Sequence, residues 1–416
     1  MQHVVAMFGA TFVFPVLMQL SPQLAVLMSG VATLLFLVLT SGRVPSYLGS
    51  SASFVGATAT IYSLGGSAAD VTGALLVVGV ALALVGVLLH FFGGRAIQRV
   101  LPPVVTGAVV MLIGFNLAPV VAQNYWPRDQ WTALAVMLFV IVVTVAFRGF
   151  ASRIAIFLAV LFGYLLSWLL DVLVGPVTYT DPTSGRSVTE ARVDFSPVAD
   201  APWFGLPPAT TGDVAGWHLP SFHVGFALVA LPIVIALVAE NAGHVKAVAE
   251  MTGDDLDPLM GRAIGADGVA TVVATSVGGS PTTTYAENIG VMAATKVYST
   301  AAYVVAALTA IGFGLSPKFG AVVNAIPGGV LGGITVVLYG MIGLLGAKIW
   351  KENQVDFGDP VNLVPVAAGL IIAIGNVTLT FSDSFELGGI ALGTIVVIVG
   401  FHLSRALARR RSRYSV

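Results

Sequence analysis

Apolar runs about one membrane thick, separated by short polar breaks, fill almost the whole chain. A spanning helix needs roughly 20 apolar residues, fewer when it is broken or packed among other helices. On that rule we predict fourteen spans: 4–20, 24–40, 50–63, 72–92, 103–121, 132–147, 154–174, 222–240, 263–277, 286–297, 299–315, 326–345, 361–374 and 387–402. Spans three and ten are short, and each is the third of a seven-span half. Interrupted segments at matching places in two halves point to a transporter binding site. A second trace of repetition is Pro102-x-x-Val105-x-Gly107 at the start of span five and Pro327-x-x-Val330-x-Gly332 at the start of span twelve. An odd number of spans per half inverts the second half against the first. The predicted fold class is therefore an all-α integral membrane protein of two inverted seven-span repeats. Spans three and ten are expected to hold short antiparallel strands followed by half-helices.

The stretch 278–296 breaks the apolar pattern most sharply. It is rich in Gly, Ser and Thr, and Pro281 forbids a continuous helix. Glu287 and Asn288 are costly against lipid. Irregular backbone at membrane depth is tolerated only where it lines a cavity or is buried in protein. The expected form is an extended piece over 280–285, then a half-helix from about Ala286. Its N-terminus offers free backbone N–H groups to a ligand, with Glu287 in the first turn. Span three, with Tyr47-Leu-Gly-Ser-Ser-Ala-Ser-Phe54, reads the same way. Two such pieces facing each other pair as short strands and aim two helix N-termini at one point.

Composition agrees with the pattern. Of 416 residues, 57% are hydrophobic and 9% charged, against about 25% charged in soluble domains. The formal net charge of −1 implies no bulk attraction to nucleic acid. Without cysteine, disulfide and thiolate chemistry are excluded. The first apolar run begins at Val4 with no basic segment before it, so no cleavable signal peptide is expected. No phosphate-binding P-loop appears, which argues against ATP-driven transport by this chain alone.

Charge also orients the chain. Arg43, Arg95, Arg99, Arg148, Arg153, Lys246, Arg262, Lys348, Lys351, Arg405, Arg409, Arg410, Arg411 and Arg413 fall on one side; Arg128, Arg186, Arg192 and Lys318 fall on the other. Both termini are then cytoplasmic and the polar loop 175–221 is external. In that loop Val177-Thr-Tyr-Thr180 and Ser187-Val-Thr189 flank a turn signal at Asp181-Pro-Thr-Ser-Gly185, which predicts a short hairpin.

Three of the 20 acidic residues lie within the membrane segments: Glu240, Asp267 and Glu287. An intramembrane ionisable group is a functional candidate because burying it is expensive. Glu240 ends span eight in our count, and His244 lies four residues on, on the same helix face. Such a pair can share a proton near neutral pH. Asp267 either caps the unwound piece of a neighbouring span or pairs with Lys296, a residue that otherwise suits the C-terminal end of the half-helix. Gln2 and His3 are either interfacial or support the site. His90, His218, His223 and His402 read as interfacial or loop residues. The site thus offers backbone donors, two carboxylate acceptors, and the aromatics Phe54 and Tyr285. A flat heterocycle with alternating N–H and C=O groups fits that set, whereas a simple anion does not suit two carboxylates. No metal-ligand cluster and no nucleophile–base pair appears, so neither a cofactor nor enzymatic activity is expected.

These motifs carry a resemblance. Ala286-Glu-Asn-Ile-Gly-Val-Met-Ala-Ala-Thr-Lys296 resembles the signature of the nucleobase–ascorbate transporters. Glu287 with Val297-Tyr-Ser-Thr300 looks like the uracil and pyrimidine permease branch. So do Gln2-His3, Ala6-Met-Phe-Gly-Ala-Thr11, Tyr47-Leu-Gly-Ser-Ser51, Glu240-Asn-Ala-Gly-His244 and Ile326-Pro327. The resemblance implies a core domain of residues 1–100 and 222–316 and a gate domain of residues 101–221 and 317–416. It implies proton-coupled uptake through the inner membrane by a homodimer working as an elevator. Carried over residue by residue, it makes Glu240 and Glu287 the substrate-binding glutamates and His244 the histidine of proton coupling. Ala52 and Ala286 become backbone N–H contacts. Asp267, Asn288, His3 and Gln2 are read, apart from the resemblance, as residues that support the site. Uracil permeases carry Phe and Gly where this chain has Ala52 and Ala286. Backbone donation survives both changes, but the aromatic wall at Ala52 is lost. The expected substrate is uracil or a related pyrimidine; a purine or xanthine symporter, and an anion carrier of the same architecture, are the alternatives.

Overall fold

The computed structural model describes residues 2–92, 101–181, 185–210, 216–382 and 385–414. Arg95, Arg99 and the turn at Pro182-Thr-Ser184 lie outside these residues, as do the side chains of Gln2, Arg153, Arg410, Arg411 and Arg413. Every predicted span has a matching helix. We label them α1 (Gln2–Leu17), α2 (Pro22–Leu39), α3 (Val55–Ser63), α4 (Ala68–Phe92), α5 (Pro103–Asn116), α6 (Gln130–Ala146), α7 (Ala155–Leu173), α8 (Ile233–Thr252), α9 (Met260–Thr275), α10 (Ala286–Thr295), α11 (Thr300–Gly314), α12 (Gly328–Glu352), α13 (Pro360–Ile374) and α14 (Gly389–Tyr414). Among the described residues, seven helical stretches are long and apolar enough to cross a membrane unaided. The others are shorter or broken. For example, α11 continues after a bend of 83° into a helix at Pro317–Asn324.

The packing partners repeat with the halves. Helix α2 packs on α11, and α9 on α4. Exchanging the halves, α2 for α9 and α11 for α4, turns the first pair into the second. Helices α5 and α12 pack on each other, as expected for elements that exchange under the same operation. Pro102 and Pro327 are the N-caps of these two helices, so the matching Pro-x-x-Val-x-Gly strings start equivalent elements. The paired helices run antiparallel and touch through glycine. A Cβ on Gly86 of α4 would fall 2.2 Å from the Gly265 nitrogen of α9. One on Gly114 of α5 would fall 2.2 Å from the Gly343 nitrogen of α12. Small residues let backbones approach this closely where lipid provides no hydrophobic drive between helices.

The predicted extended pieces are strands β1 (Leu48–Ser50) and β4 (Thr282–Thr284), paired antiparallel with Gly49 opposite Thr283. The loop hairpin is β2 (Val177–Thr180) with β3 (Ser187–Glu190). A further hairpin, β5 (Thr378–Ser382) with β6 (Phe385–Gly388), was not anticipated from the sequence. The loop 175–221 is tied down at several points. Arg192 donates to Asp129 at 2.7 Å and to Asp171 at 3.0 Å. Gly205 N–H donates to Leu315 O at 2.9 Å, and Ser221 N–H to Ala69 O at 2.9 Å.

One boundary differs from expectation. The hydropathy pattern ends span eight at Glu240, but α8 runs on to Thr252 and stops at Gly253, whose φ of +75° is the left-handed conformation that glycine adopts freely. It begins after Pro232, which separates it from a short helix at Val224–Ala230. Glu240 and His244 therefore sit inside the helix rather than at its end. Hydropathy ends a span at the first charge, whereas a helix facing a polar interior keeps its backbone hydrogen bonds regardless of its side chains.

Candidate functional site

The site forms where the two interrupted segments meet. A two-stranded ribbon inside a membrane leaves backbone groups open on both outer edges, and each must find a partner. Threonines supply them. Leu48 N–H donates to Thr33 Oγ1 of α2 at 2.9 Å, and that hydroxyl lies 3.3 Å from Leu48 O. On the opposite edge Thr282 N–H donates to Thr271 Oγ1 of α9 at 3.2 Å, and that hydroxyl donates to Thr282 O at 2.8 Å. Helices α2 and α9 hold equivalent places in the two halves, so the ribbon is clasped twice by one device.

Beyond each strand the chain turns into helix. Ser51 caps a tight turn at Ala52–Phe54 that leads into α3, accepting from Ser53 N–H at 3.2 Å. Tyr285 precedes α10, and its N–H donates to Tyr47 O at 2.9 Å. Ala52 and Ala286 therefore open the two first turns, with Ala286 exposed and Ala52 half-buried. Helix N-termini of this kind carry free N–H groups and attract acceptors.

The carboxylates converge on these turns. Glu287 lies in the first turn of α10. Glu240, midway along α8, accepts from Ser53 Oγ at 3.4 Å, one residue from Ala52, and lies within electrostatic range of Glu287 and Asp267. Both glutamates are half-buried, open enough to meet a ligand. Glu240, Glu287, Ala52 and Ala286 are thus brought together.

The remaining candidates support the site from behind. Tyr285, at 3% exposure, donates its hydroxyl to Ser50 O at 2.7 Å and lies 3.0 Å from Thr11 Oγ1. Its ring lies 6.2 Å from that of Tyr47. Asn288 donates to His3 O at 3.0 Å, and the His3 ring lies 4.4 Å from that of Tyr303. Asp267 is fully buried and accepts from Asn241 Nδ2 at 2.6 Å and Thr283 Oγ1 at 3.2 Å. Of its two expected roles it takes the first, holding the unwound piece through Thr283. Lys296 is exposed at the end of α10 and makes no ion pair with Asp267. Phe54 is fully buried in the main core, so its ring is not open to a ligand at the turn that carries it.

His244 departs from the expected pairing. Its Nδ1 lies 2.7 Å from Thr284 Oγ1 on β4, and Glu240 is bonded to Ser53 rather than to the imidazole. Thr284 in turn donates to Asn241 Oδ1 at 2.9 Å. Sequence reading missed Ser53, Asn241, Thr283 and Thr284. The signal for Asn241 was there: an amide beside Glu240 in an apolar helix. Three consecutive threonines in a strand between apolar spans also mark polar contacts on both faces. Among the described residues no group of three or more His, Cys, Asp or Glu side chains is placed to hold a metal.

Comparison with known proteins gives the following likenesses. A family model for permeases, Xan_ur_permease, matches residues 1–381. The chain is 43% identical over 414 residues to the "Putative pyrimidine permease RutG" of Escherichia coli K12, covering 98% of this chain and 89% of that one. It is 35% identical to the uracil permease of Paenibacillus larvae, covering 96% and 91%, and 32% identical to that of Bacillus subtilis, covering 96% and 90%. Among solved structures, the murine Solute Carrier 26 family member A9 anion transporter, inward-facing, superposes with a TM-score of 0.64 at 13% identity, covering 98% of this chain and 67% of that one. The transmembrane domain of the cyanobacterial bicarbonate transporter BicA gives 0.55 at 12% identity, covering 97% of each. At such identities these two establish the fold alone.

Proposed function

The chain belongs to the nucleobase–ascorbate transporter family of multi-pass permeases, and from that premise we propose that it carries uracil or a related pyrimidine base into the cell in symport with protons. The observation that carries this reading is the convergence of two carboxylate acceptors, Glu240 and Glu287, with two helix-opening backbone donors at Ala52 and Ala286. A pyrimidine edge alternates ring N–H and C=O groups, and that set complements it donor for acceptor. The relatives named as uracil and pyrimidine permeases support the substrate class. We place the protein in the cytoplasmic membrane with both termini inside, as fourteen spans. The core domain comprises residues 1–100 and 222–316, and the gate domain residues 101–221 and 317–416. In this reading the core slides as an elevator against the gate within a homodimer.

A xanthine or purine carrier is the second reading. It is favoured by Ala52, which leaves room where uracil permeases carry an aromatic wall. An anion carrier shares the fold but would place its ligand beside Glu287, where like charges repel. Uptake of labelled uracil into cells expressing the chain, with unlabelled thymine, xanthine or sulfate as competitors, tests all three. We expect uracil uptake, competition by thymine, and none by sulfate. Strong competition by xanthine alone would move the assignment to purines, and competition by sulfate would overturn it.

A further inference from the structure

We propose that Thr284 is a positioning residue: held by Asn241, which Asp267 and Leu237 orient, it fixes His244 as the Nδ1–H tautomer and leaves Nε2 as the imidazole's only basic atom. The directions follow atom by atom. Asn241 Nδ2 lies 2.9 Å from Leu237 O and 2.6 Å from Asp267 Oδ2. A backbone carbonyl has no hydrogen to give, so the amide nitrogen must face it and Oδ1 must face Thr284. Thr284 Oγ1 lies 2.9 Å from that Oδ1 and spends its one hydrogen there. The same oxygen lies 2.7 Å from His244 Nδ1. With its hydrogen committed it can only accept, so Nδ1 carries a proton. A neutral imidazole has only one N–H, and Nε2 is left with a lone pair.

Among the described residues the imidazole's hydrogen bonds run to Thr284, to its hydroxyl at 2.7 Å from Nδ1 and to its backbone, and His244 is half-buried. The relay is anchored at its far end, where Asp267 Oδ2 also accepts from Thr283 at 3.2 Å. Glu240 lies one turn back on α8, with Glu287 of α10 within electrostatic range of that carboxylate, and Asp267 of α9 lies behind Asn241; Lys246 is exposed. The consequence rests on the transport reading above: the coupling proton, or a ligand N–H, meets His244 at Nε2 and nowhere else on the ring. Thr284, on β4, then links the ribbon to that atom.

Nitrogen-15 NMR of histidine-labelled full-length protein in nanodiscs tests the assignment, with His244→Gln identifying the resonance by subtraction. In the neutral ring we expect a protonated Nδ1 and a bare Nε2 in the wild type. Thr284→Val should erase that preference and lower labelled-uracil uptake roughly tenfold, the order set by stranding one buried polar partner. Thr284→Ser should restore both. A wild-type ring protonated at Nε2 overturns the proposal even if the valine variant fails to fold. Unchanged uptake in a folded Thr284→Val protein overturns the positioning role. If the wild type shows the expected tautomer yet takes up no nucleobase, the transport reading fails while the tautomer assignment stands.

Discussion

Glu287 can be tested by a change of one heavy atom with almost none of shape. Glu287→Gln keeps the side chain's volume at the start of α10 but turns one acceptor oxygen into a donor. A ligand N–H then meets a matching donor or a weakened acceptor, and the lost charged hydrogen bond is worth roughly 1.5–3 kcal/mol. Uptake should fall roughly tenfold to a hundredfold while expression and membrane insertion hold; uptake within a few-fold of wild type would remove Glu287 from the site. Residues of this kind were legible because a carboxylate in an apolar run needs a reason. Glu240 and Glu287 stood out for that reason, and the structure brings them to the same pair of turns. The burial of Phe54 and the partner of His244 are things that spacing cannot resolve. Phe54 lies on a single tight turn, where one residue of phase decides between ligand and core, and it faces the core. The i,i+4 relation of Glu240 and His244 gave the shared face correctly, but not the competitor for the imidazole, a threonine 40 residues along the chain.

The ribbon shows the same division between elements. Pro281 and the run of Gly, Ser and Thr announced an extended piece over 280–285, and β4 with the start of α10 at Ala286 fall within a residue or two of that reading. The clasp by Thr33 and Thr271 was not legible, since each is an ordinary threonine in an ordinary apolar helix until its strand is set beside it. The end of α8 and the hairpin β5–β6 escaped too, because hydropathy counts charges and not backbone partners. Two element-level changes follow. At Gly49 a Cβ would lie 2.6 Å from the Tyr285 ring, so Gly49→Ala must push that ring off Ser50 O or part the strands. Such overpacking costs roughly 1–3 kcal/mol. A lower melting temperature together with reduced uptake is expected, and an unchanged melt would mean the ribbon gives way without cost. In the loop 175–221, Arg192 neutralises Asp129 and Asp171, side chains only 7% and 16% exposed. Arg192→Ala leaves both without their cation, and roughly 1–3 kcal/mol of stability should go with it. Faster protease cleavage of the loop in right-side-out vesicles is the accompanying readout.

Over the whole molecule, the pairing of α2 with α11 and of α9 with α4 is what an inverted repeat demands, and the two short spans at matching positions were its clearest sequence trace. The lopsided distribution of Lys and Arg predicts a direction for that symmetric body. Because the chain has no cysteine, single cysteines report it cleanly. Ala191→Cys beyond β3 should react with an impermeant reagent in intact cells, and Asp254→Cys after α8 only once they are permeabilised; the reverse pattern would invert the topology. Direction then gives meaning to coupling. In the proposed symport the carboxylates Glu240 and Glu287 must be free to accept a ligand's N–H groups, so the coupling proton is expected on the imidazole, at His244 Nε2, when substrate is bound. On the proposed reading, substrate occupancy and proton occupancy are linked by that requirement, and each must favour the other. In proteoliposomes an imposed gradient, acid on the side from which substrate enters, should drive labelled uracil above its equilibrium level, and a protonophore should return it there. His244→Ala should still equilibrate substrate slowly but lose most of the response to the imposed gradient. Accumulation that follows a sodium gradient and ignores pH would end the case for proton symport. Concentration of substrate by His244→Ala with an unchanged response would move the coupling proton to the carboxylates alone.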